Sequence, residues 1–174
     1  MTSRRVVPIV VAGLALAAAA PAEATQTPSQ RFFAAKLLAD KGTSREVRRL
    51  LRTGQGFVDK AVAFRDLTGD DRSDAVVKVQ SGGISGAIAL YVFSTDKGRK
   101  HGPLAVVFRS QRLLHAQTRI REGVLRYRTA RPQPGDDPCC PSRLAESRTR
   151  WDERRHRLKV VERRQVLPEE PWGM

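Results

Sequence analysis

An oxygen-rich segment between two predicted strands carries the residues best suited to hold a metal ion. Counted from Asp66, oxygen-bearing side chains fall at positions 1, 3, 5 and 9 of this segment. These residues are Asp66, Thr68, Asp70 and Asp74. A calcium loop offers ligands at these positions, because Ca²⁺ prefers hard oxygen donors. Position 6 is Asp71 where such loops carry glycine, and Val77 at position 12 is not acidic, so the segment is not an EF-hand. The spacing predicts either a calcium site or a turn held by Asx hydrogen bonds.

Cys139 and Cys140 are the only cysteines of the sequence and are adjacent in it. In an oxidising compartment they could bond to each other, bridge two chains or stay free. Neighbouring Cα atoms lie about 3.8 Å apart across a trans peptide, whereas ordinary disulfides span roughly 4.4–6.8 Å. A vicinal disulfide would therefore be strained. We favour this vicinal bond, with the other two states as open alternatives.

Arginines alternate with apolar residues on both sides of Glu122-Gly123. If these two residues form a hairpin turn, Arg119 faces Arg126 and Gln117 faces Arg128. One face of the hairpin is then basic, while Thr118, Ile120, Leu125 and Tyr127 belong to the core. The next strand extends the basic face. The predicted anion-binding residues, which we expect to face water, are Arg119, Arg121, Arg126, Arg128, Arg148 and Arg150. Guanidinium groups bind phosphate and carboxylate through two parallel hydrogen bonds.

Catalytic patterns are missing from the sequence. The three histidines are isolated, and neither a nucleophile elbow nor a phosphate-binding glycine loop is present. We therefore predict no catalytic residues and no cofactor other than the calcium ion considered above. The sequence favours a protein that is not an enzyme.

Four short motifs between residues 57 and 166 resemble those of small exported actinobacterial proteins. They are Asp66-Leu67-Thr68-Gly69-Asp70-Asp71, Leu90-Tyr91-Val92-Phe93, Pro138-Cys139-Cys140-Pro141 and Arg150-Trp151-Asp152. More loosely, the chain is similar to the LppP/LprE group of mycobacterial lipoproteins, which also join a cysteine-containing loop to an aromatic–Asp hairpin. The resemblance implies an exported domain with the fourth motif, which contains Trp151, at a hairpin tip, and it implies no activity. The chain has no cysteine at the predicted cleavage site for lipid attachment.

The spacing of apolar residues predicts the helices and strands that position these residues. A helix is predicted over Gln30 to Asp40, ended by Gly42, and a second one begins at a capping box of Thr43 and Glu46 and ends at Gly54. From Phe57 the period changes to the alternation of strands. We predict strands near 58–66, 74–80, 86–94, 104–110, 114–121, 124–130, 144–152 and 157–164. The expected fold is α+β, with two N-terminal helices packed on an antiparallel meander of about 7–8 strands.

The first residues have the three parts of a secretory signal peptide. Arg4 and Arg5 precede an uncharged apolar run over residues 6–20, and Ala22 and Ala24 supply the small side chains for cleavage after Ala24. This run is shorter than the roughly 20 residues that cross a bilayer, and we expect no transmembrane segment after cleavage. We divide the chain into a signal peptide (1–24), a linker (25–29), a single domain (30–166) and a loose C-terminal tail (167–174).

The net charge of the chain is +14, and it falls to +13 when Arg4, Arg5 and Glu23 leave with the signal peptide. Such a charge favours anionic partners. We therefore expect a secreted or extracytoplasmic monomer that acts at the cell envelope by binding or as a structural component, with an anionic envelope polymer or another envelope protein as partner. Two alternatives stay open: a polyanion-binding protein that uses the arginine face, and an unrecognised secreted hydrolase or hydrolase inhibitor. Nucleic acid is a less favoured partner, because few aromatic residues accompany the arginines.

Overall fold

The computed structural model describes residues 26–95, 104–137 and 139–173. The predicted signal peptide lies outside the described residues. The elements that it describes are α1 (Pro28–Ala39), α2 (Arg45–Thr53), β1 (Phe57–Val58), β2 (Ala63–Arg65), β3 (Asp74–Gln80), β4 (Ala87–Ser94), β5 (Ala105–Gln111), β6 (Gln117–Arg121), β7 (Val124–Ala130), β8 (Leu144–Asp152) and β9 (Arg157–Val166).

Both helices begin at capping side chains. The Thr27 hydroxyl accepts from Gln30 N, and the Gln30 side chain accepts from Thr27 N, so α1 starts two residues before the predicted helix. Asp40, not Gly42, is the C-cap of α1. Ser44, not Thr43, caps α2, because its hydroxyl accepts from Val47 N.

Gly54 ends α2 as predicted, in the left-handed region with φ 71°.

The strands form two antiparallel sheets. Sheet A consists of β1 to β5, in the order β1-β3-β4-β5 with β2 also paired to β3, and sheet B is a meander of β6 to β9. The prediction of an α+β fold with antiparallel strands agrees with this arrangement, but the expected single meander is wrong. Consecutive strands are antiparallel neighbours within each sheet from β3 to β5 and from β6 to β9, so the error concerns where the sheet is interrupted.

The interruption falls between β5 and β6, inside the strand predicted over 114–121. Arg112 and His115 have φ angles of 60° and 50°, which non-glycine residues seldom adopt. His115 N donates to Ser85 O and Ala116 N to Ala87 O. These bonds hold the connecting segment against sheet A and redirect the chain, and β6 then starts a new sheet at Gln117.

The strand predicted over 58–66 is also divided. Asp59 Oδ1 accepts from Ala61 N at 2.9 Å, which is an Asx turn that takes the chain out of the ladder. β1 and β2 therefore pair with two different parts of β3 along the same edge.

Two apolar clusters separate three layers. One cluster lies between the helices and sheet A and includes Phe33, Leu37 and Val47. The other lies between sheets A and B and includes Leu90, Leu125 and Tyr127. Sheet A is the middle layer, so β4 is buried along its whole length. Sheet B has one face in the core and one facing outward, and this outward face carries most of its charge.

Candidate functional site

The β6–β7 hairpin has the register that the sequence predicts. Glu122 and Gly123 form its two-residue turn with φ angles of 51° and 68°, the positive values of a type I′ turn. Arg119 pairs with Arg126 and Gln117 with Arg128. The basic side chains therefore share one face, which points away from sheet A.

The pairing of β8 and β9 extends this surface, which we call the outer face of sheet B. Residues directly opposite one another share a face, so the ladders place nine basic and three acidic side chains on it within the described residues. The basic ones are Arg119, Arg121, Arg126, Arg128, Arg148, Arg150, Arg157, Lys159 and Arg164; the acidic ones are Glu146, Asp152 and Glu162.

The structure corrects the expectation that this whole face is in water. Arg126 and Arg128 are 8% and 3% exposed, and Glu146 between them is 2% exposed. Arg128 Nη2 lies 2.7 Å from Glu146 Oε2, and Arg126 Nη1 lies 3.6 Å from Glu146 Oε1. Arg164 Nη2 contacts the same Oε1 atom at 3.2 Å. Three guanidinium groups thus surround one carboxylate, which sequence reasoning missed because Glu146 lies on a later strand.

The charge of Glu146 is stabilised by these neighbours. Its burial alone raises the pKa, but the hydrogen bonds and positive charges of Arg128 and Arg164 lower the pKa below its ordinary value of 4.5. Glu146 is therefore an ionised buried group whose partners are Arg164 and two of the predicted anion-binding arginines, Arg126 and Arg128.

The C-terminal tail lies over this cluster, where we expected a loose segment. Arg128 Nη1 donates to Glu170 O at 2.7 Å and Arg128 Nη2 to Pro171 O at 2.8 Å. The ring of Trp172 lies 4.4 Å from the Arg128 guanidinium carbon, a cation–π distance. The inner part of the outer face is consequently covered by the chain itself.

The remaining arginines of the face are accessible. Arg119, Arg121 and Arg150 are exposed, and Arg148 is half-buried with Glu162 at 3.8 Å. Among the described residues, Arg119 and Arg150 have no ion-pair partner. Arg119, Arg126 and Arg148 are aligned across three neighbouring strands, where like charges repel. An anion placed over this row would relieve the repulsion.

A cleft of about 520 Å³ adjoins the row at the start of β7. Its walls combine Arg148, Arg150 and Trp151 of β8 with the Asp66–Gly69 loop of sheet A and the Glu122–Val124 turn. Its volume lies within the range of small-ligand sites. The cleft brings a predicted metal-binding residue, Asp66, next to two predicted anion-binding residues, which the sequence alone could not show.

The oxygen-rich loop forms an Asx-type turn with its own backbone. Asp66 Oδ1 accepts from Thr68 N and Gly69 N at 3.1 and 2.7 Å, and its Oδ2 accepts from Asp71 N at 3.0 Å. Burial raises the pKa of Asp66, but these amide bonds outweigh it and the pKa is lowered. Thr68 Oγ1 donates to Asp70 Oδ1. Within the described part of the chain, no group of three acidic, histidine or cysteine side chains is placed to hold a metal ion.

Asp74 is the first residue of β3 in sheet A, and its side chain is buried there rather than placed with the loop to bind a metal ion. It is 1% exposed; its Oδ2 accepts from Leu67 N at 2.8 Å, and its Oδ1 has no hydrogen-bond partner in the described structure. Burial raises the pKa of this carboxyl, and the charges of Asp70 and Asp66 raise it further. Calcium binding at the loop stays a prediction, and calorimetric titration at millimolar calcium tests it.

Cys139 and Cys140 are exposed free thiols, so the expected vicinal disulfide is not formed. Hydrogen bonds close the loop instead: Cys140 N donates to Asp137 O at 2.9 Å, and Asp136 Oδ2 accepts from Gln133 N and Ser142 N. The hydrogen bond with Cys139 raises the pKa of Cys140, and desolvation adds to it. Since adjacent cysteines need strained geometry to bond, this hydrogen-bonded loop is the less strained closure.

A second arginine cluster lies on α2, on the far side of sheet A. Arg45, Arg48, Arg49 and Arg52 line a shallow depression of about 420 Å³. They follow the helical spacing that the sequence predicts for a solvated helix face. This cluster carries a similar charge on a different layer, which makes it a matched control for the outer face of sheet B.

Comparison of the chain with protein-family models, with curated proteins and with solved structures finds no match. In the described part of the chain, neither helix has the length and apolar character that crossing a bilayer requires.

Proposed function

We propose that this protein is an exported, extracytoplasmic binding domain whose outer face of sheet B binds an anionic polymer of the cell envelope. The observation that carries the proposal is that Arg119 and Arg150 are exposed on this face and have no ion-pair partner among the described residues. The predicted signal peptide supports the location, and the net charge of +14 supports an anionic partner.

Arg119 and Arg150 need an anion more than the other arginines of the face do. Glu146 compensates Arg126 and Arg128 from below, and Glu162 pairs with Arg148. Arg119 has no such partner among the described residues, nor has Arg150 at the adjoining cleft. A polymer with regularly spaced phosphate, sulfate or carboxylate groups would bridge these exposed guanidinium groups. The sheet fixes their spacing, so little backbone conformational entropy is lost on binding.

The cleft continues the proposed binding surface beyond the arginine row. Arg150 is exposed at its rim, and Trp151 is half-buried, packed against the core on one side. Thr149 to Asp152 pair with β9 alone among the described strands, because the β7 ladder ends at Arg148. This edge leaves room for a bound chain beside β8.

The test measures binding of residues 25–174 to immobilised heparin, a soluble polyanion, as a function of salt concentration. We expect affinity to fall steeply with salt. The double variant Arg119→Glu/Arg150→Glu should weaken binding and reduce the salt slope by about 2, one unit for each lost contact.

The matched control is Arg49→Glu/Arg52→Glu, which makes the same charge change on two exposed residues of α2. Equal loss from both variants would mean that only net charge matters and would refute a site on sheet B. Loss from the control alone would move the site to α2. Purified anionic wall polymer in place of heparin then tests the envelope ligand itself.

A further inference from the structure

The arginines beneath the C-terminal tail form a second, covered part of the proposed site. We define the arginine seat as Arg126, Arg128 and Arg164 around Glu146. Its three positive charges meet one negative charge from the sheet, and they approach it at 2.7 to 3.6 Å. The seat therefore keeps an excess of positive charge that a further acidic group can neutralise.

The tail supplies groups of the kind that an anionic polymer would supply. Two successive backbone carbonyls, of Glu170 and Pro171, accept from the two terminal nitrogens of Arg128. The Glu170 carboxylate lies 3.7 Å from Arg164 Nη1. The tail thus occupies Arg128 and Arg164 with oxygen acceptors and one negative charge.

Gly173 lies close to the charged ends of the seat residues. A Cβ atom built on Gly173 would lie 2.9 Å from Arg164 Nη2, 3.0 Å from Glu146 Oε1 and 3.1 Å from Arg126 Nη1. Those distances are shorter than ordinary contacts of a Cβ atom. Gly173 lets the backbone lie directly on the seat, with Trp172 against Arg128.

The tail is nevertheless held by surface contacts. Val166 at the end of β9 is 1% exposed, but none of the residues 167–173 is buried. A local turn shapes it, since Leu167 N donates to Glu170 Oε2 and Glu170 N to Leu167 O. A segment held by few polar contacts without buried apolar side chains opens at low cost.

We infer that the tail is a displaceable cover of the arginine seat, and that an anionic polymer displaces it to bind Arg128 and Arg164. The inference rests on the proposed function, because the same polymer is the ligand. It adds a regulated half to the site: Arg119 and Arg150 are exposed at all times, and the seat opens when the polymer competes with the tail.

The first experiment compares heparin binding by residues 25–174 with binding by residues 25–167. Removal of the tail should raise the affinity several-fold and steepen the salt slope by about 2, for Arg128 and Arg164. The variant Trp172→Ala keeps the full length and should shift both quantities in the same direction by a smaller amount. Circular dichroism of each protein verifies that the fold is retained.

Equal affinity and equal salt slope for the two lengths would overturn the cover while leaving the proposed function in place. If neither protein binds heparin, the proposed function itself fails. A gain on truncation that persists in Arg128→Gln would also overturn the assignment, because the gain is attributed to this arginine.

A second experiment follows the tail in the full-length protein. In the Trp151→Phe background, Trp172 is the only tryptophan of the chain. Saturating heparin should release it from Arg128, shift its emission to longer wavelength and increase quenching by acrylamide. Unchanged emission and quenching at saturation, with binding verified by calorimetry, would show that the tail stays in place and would contradict the inference.

Discussion

Two carboxylates of this protein are almost equally buried, and their pKa values shift in opposite directions. Asp74 in sheet A is 1% exposed and Glu146 in sheet B is 2% exposed. The pKa of Asp74 is raised by its burial, whereas the pKa of Glu146 is lowered. Burial raises the pKa of both carboxyls, and only at Glu146 do the arginine partners reverse this shift.

The two sheets supply different partners. Asp74 receives one amide hydrogen bond, and its second oxygen lies unpaired in a layer covered by apolar clusters on both faces. Glu146 lies among three guanidinium groups beneath the tail. A buried charge therefore destabilises sheet A, which we regard as a structural framework. Sheet B is a charged surface, and the positive charges at its centre are partly neutralised by Glu146. This contrast explains why the proposed site lies on sheet B.

The largest effect is expected for Glu146→Gln, which leaves three arginines without their shared counter-charge. Breaking a buried ion pair by removing one partner costs about 3–5 kcal/mol. Urea unfolding of the variant and the parent chain at neutral pH measures the loss. The matched control is Glu162→Gln, which removes a half-exposed partner of Arg148 and should cost at most about 0.5 kcal/mol. Comparable losses from the two variants would show that the buried Glu146 contributes no more to stability than the half-exposed Glu162 does.

The pH dependence gives a separate check on Glu146. Its folded pKa is lowered relative to 4.5, so the stabilisation is present above this value and is lost as pH falls through the folded pKa. The difference in unfolding free energy between the parent chain and Glu146→Gln should therefore shrink in acid. A difference that stays constant down to the acid transition would contradict the lowered pKa.

The predicted hairpin shows how far local sequence determines this site. Alternation of residue types and a two-residue turn fix which side chains share a face, so the pairing of Arg119 with Arg126 could be predicted. Whether that face meets water depends on residues elsewhere. The partners of Arg128 lie 18 positions away at Glu146 and 42 positions away at Glu170. No local pattern carries such information, and so the buried half of the face was missed.

The division into two sheets was missed for a related reason. Strand positions such as 74–80, 124–130 and 144–152 follow from local alternation and match the structure. The break depends on positive φ angles at Arg112 and His115, where the residue types carry no glycine-like signal. Tertiary bonds to Ser85 and Ala87 impose this conformation.

The framework role of sheet A predicts a large effect without pH dependence. Leu90 is fully buried between the two sheets, and Leu90→Ala should cost about 3 kcal/mol from lost transfer energy and the remaining cavity. Urea unfolding near pH 7 and near pH 4 should give the same loss, because no titrating group is removed. If the loss caused by Leu90→Ala shrinks in acid as the loss caused by Glu146→Gln does, the proposed difference between the two sheets is contradicted.

Asp74→Asn should stabilise the protein at neutral pH, by on the order of 1 kcal/mol, because the amide removes a buried negative charge that has one unpaired oxygen. The folded pKa of Asp74 is raised above 3.8, so the ionised form destabilises the fold above the folded pKa, and this cost is absent below 3.8. The gain from the amide should therefore be full at pH 7 and vanish in strong acid. Thermal unfolding across this pH range measures it, and a neutral-pH loss would mean that the charge of Asp74 has a partner.

The smallest effect is expected for Asp66→Asn, in the loop for which the sequence predicts either a calcium site or an Asx turn. The amide keeps an oxygen for Thr68 N and Gly69 N but cannot accept from Asp71 N in the same orientation. The loss should be about 0.5 kcal/mol, the size of a single exposed hydrogen bond. If the loop is an Asx turn alone, millimolar calcium leaves the thermal midpoints of parent and variant unchanged. A calcium-dependent rise of the parent midpoint that the variant lacks would instead identify Asp66 as a ligand, since binding to the folded state alone raises stability.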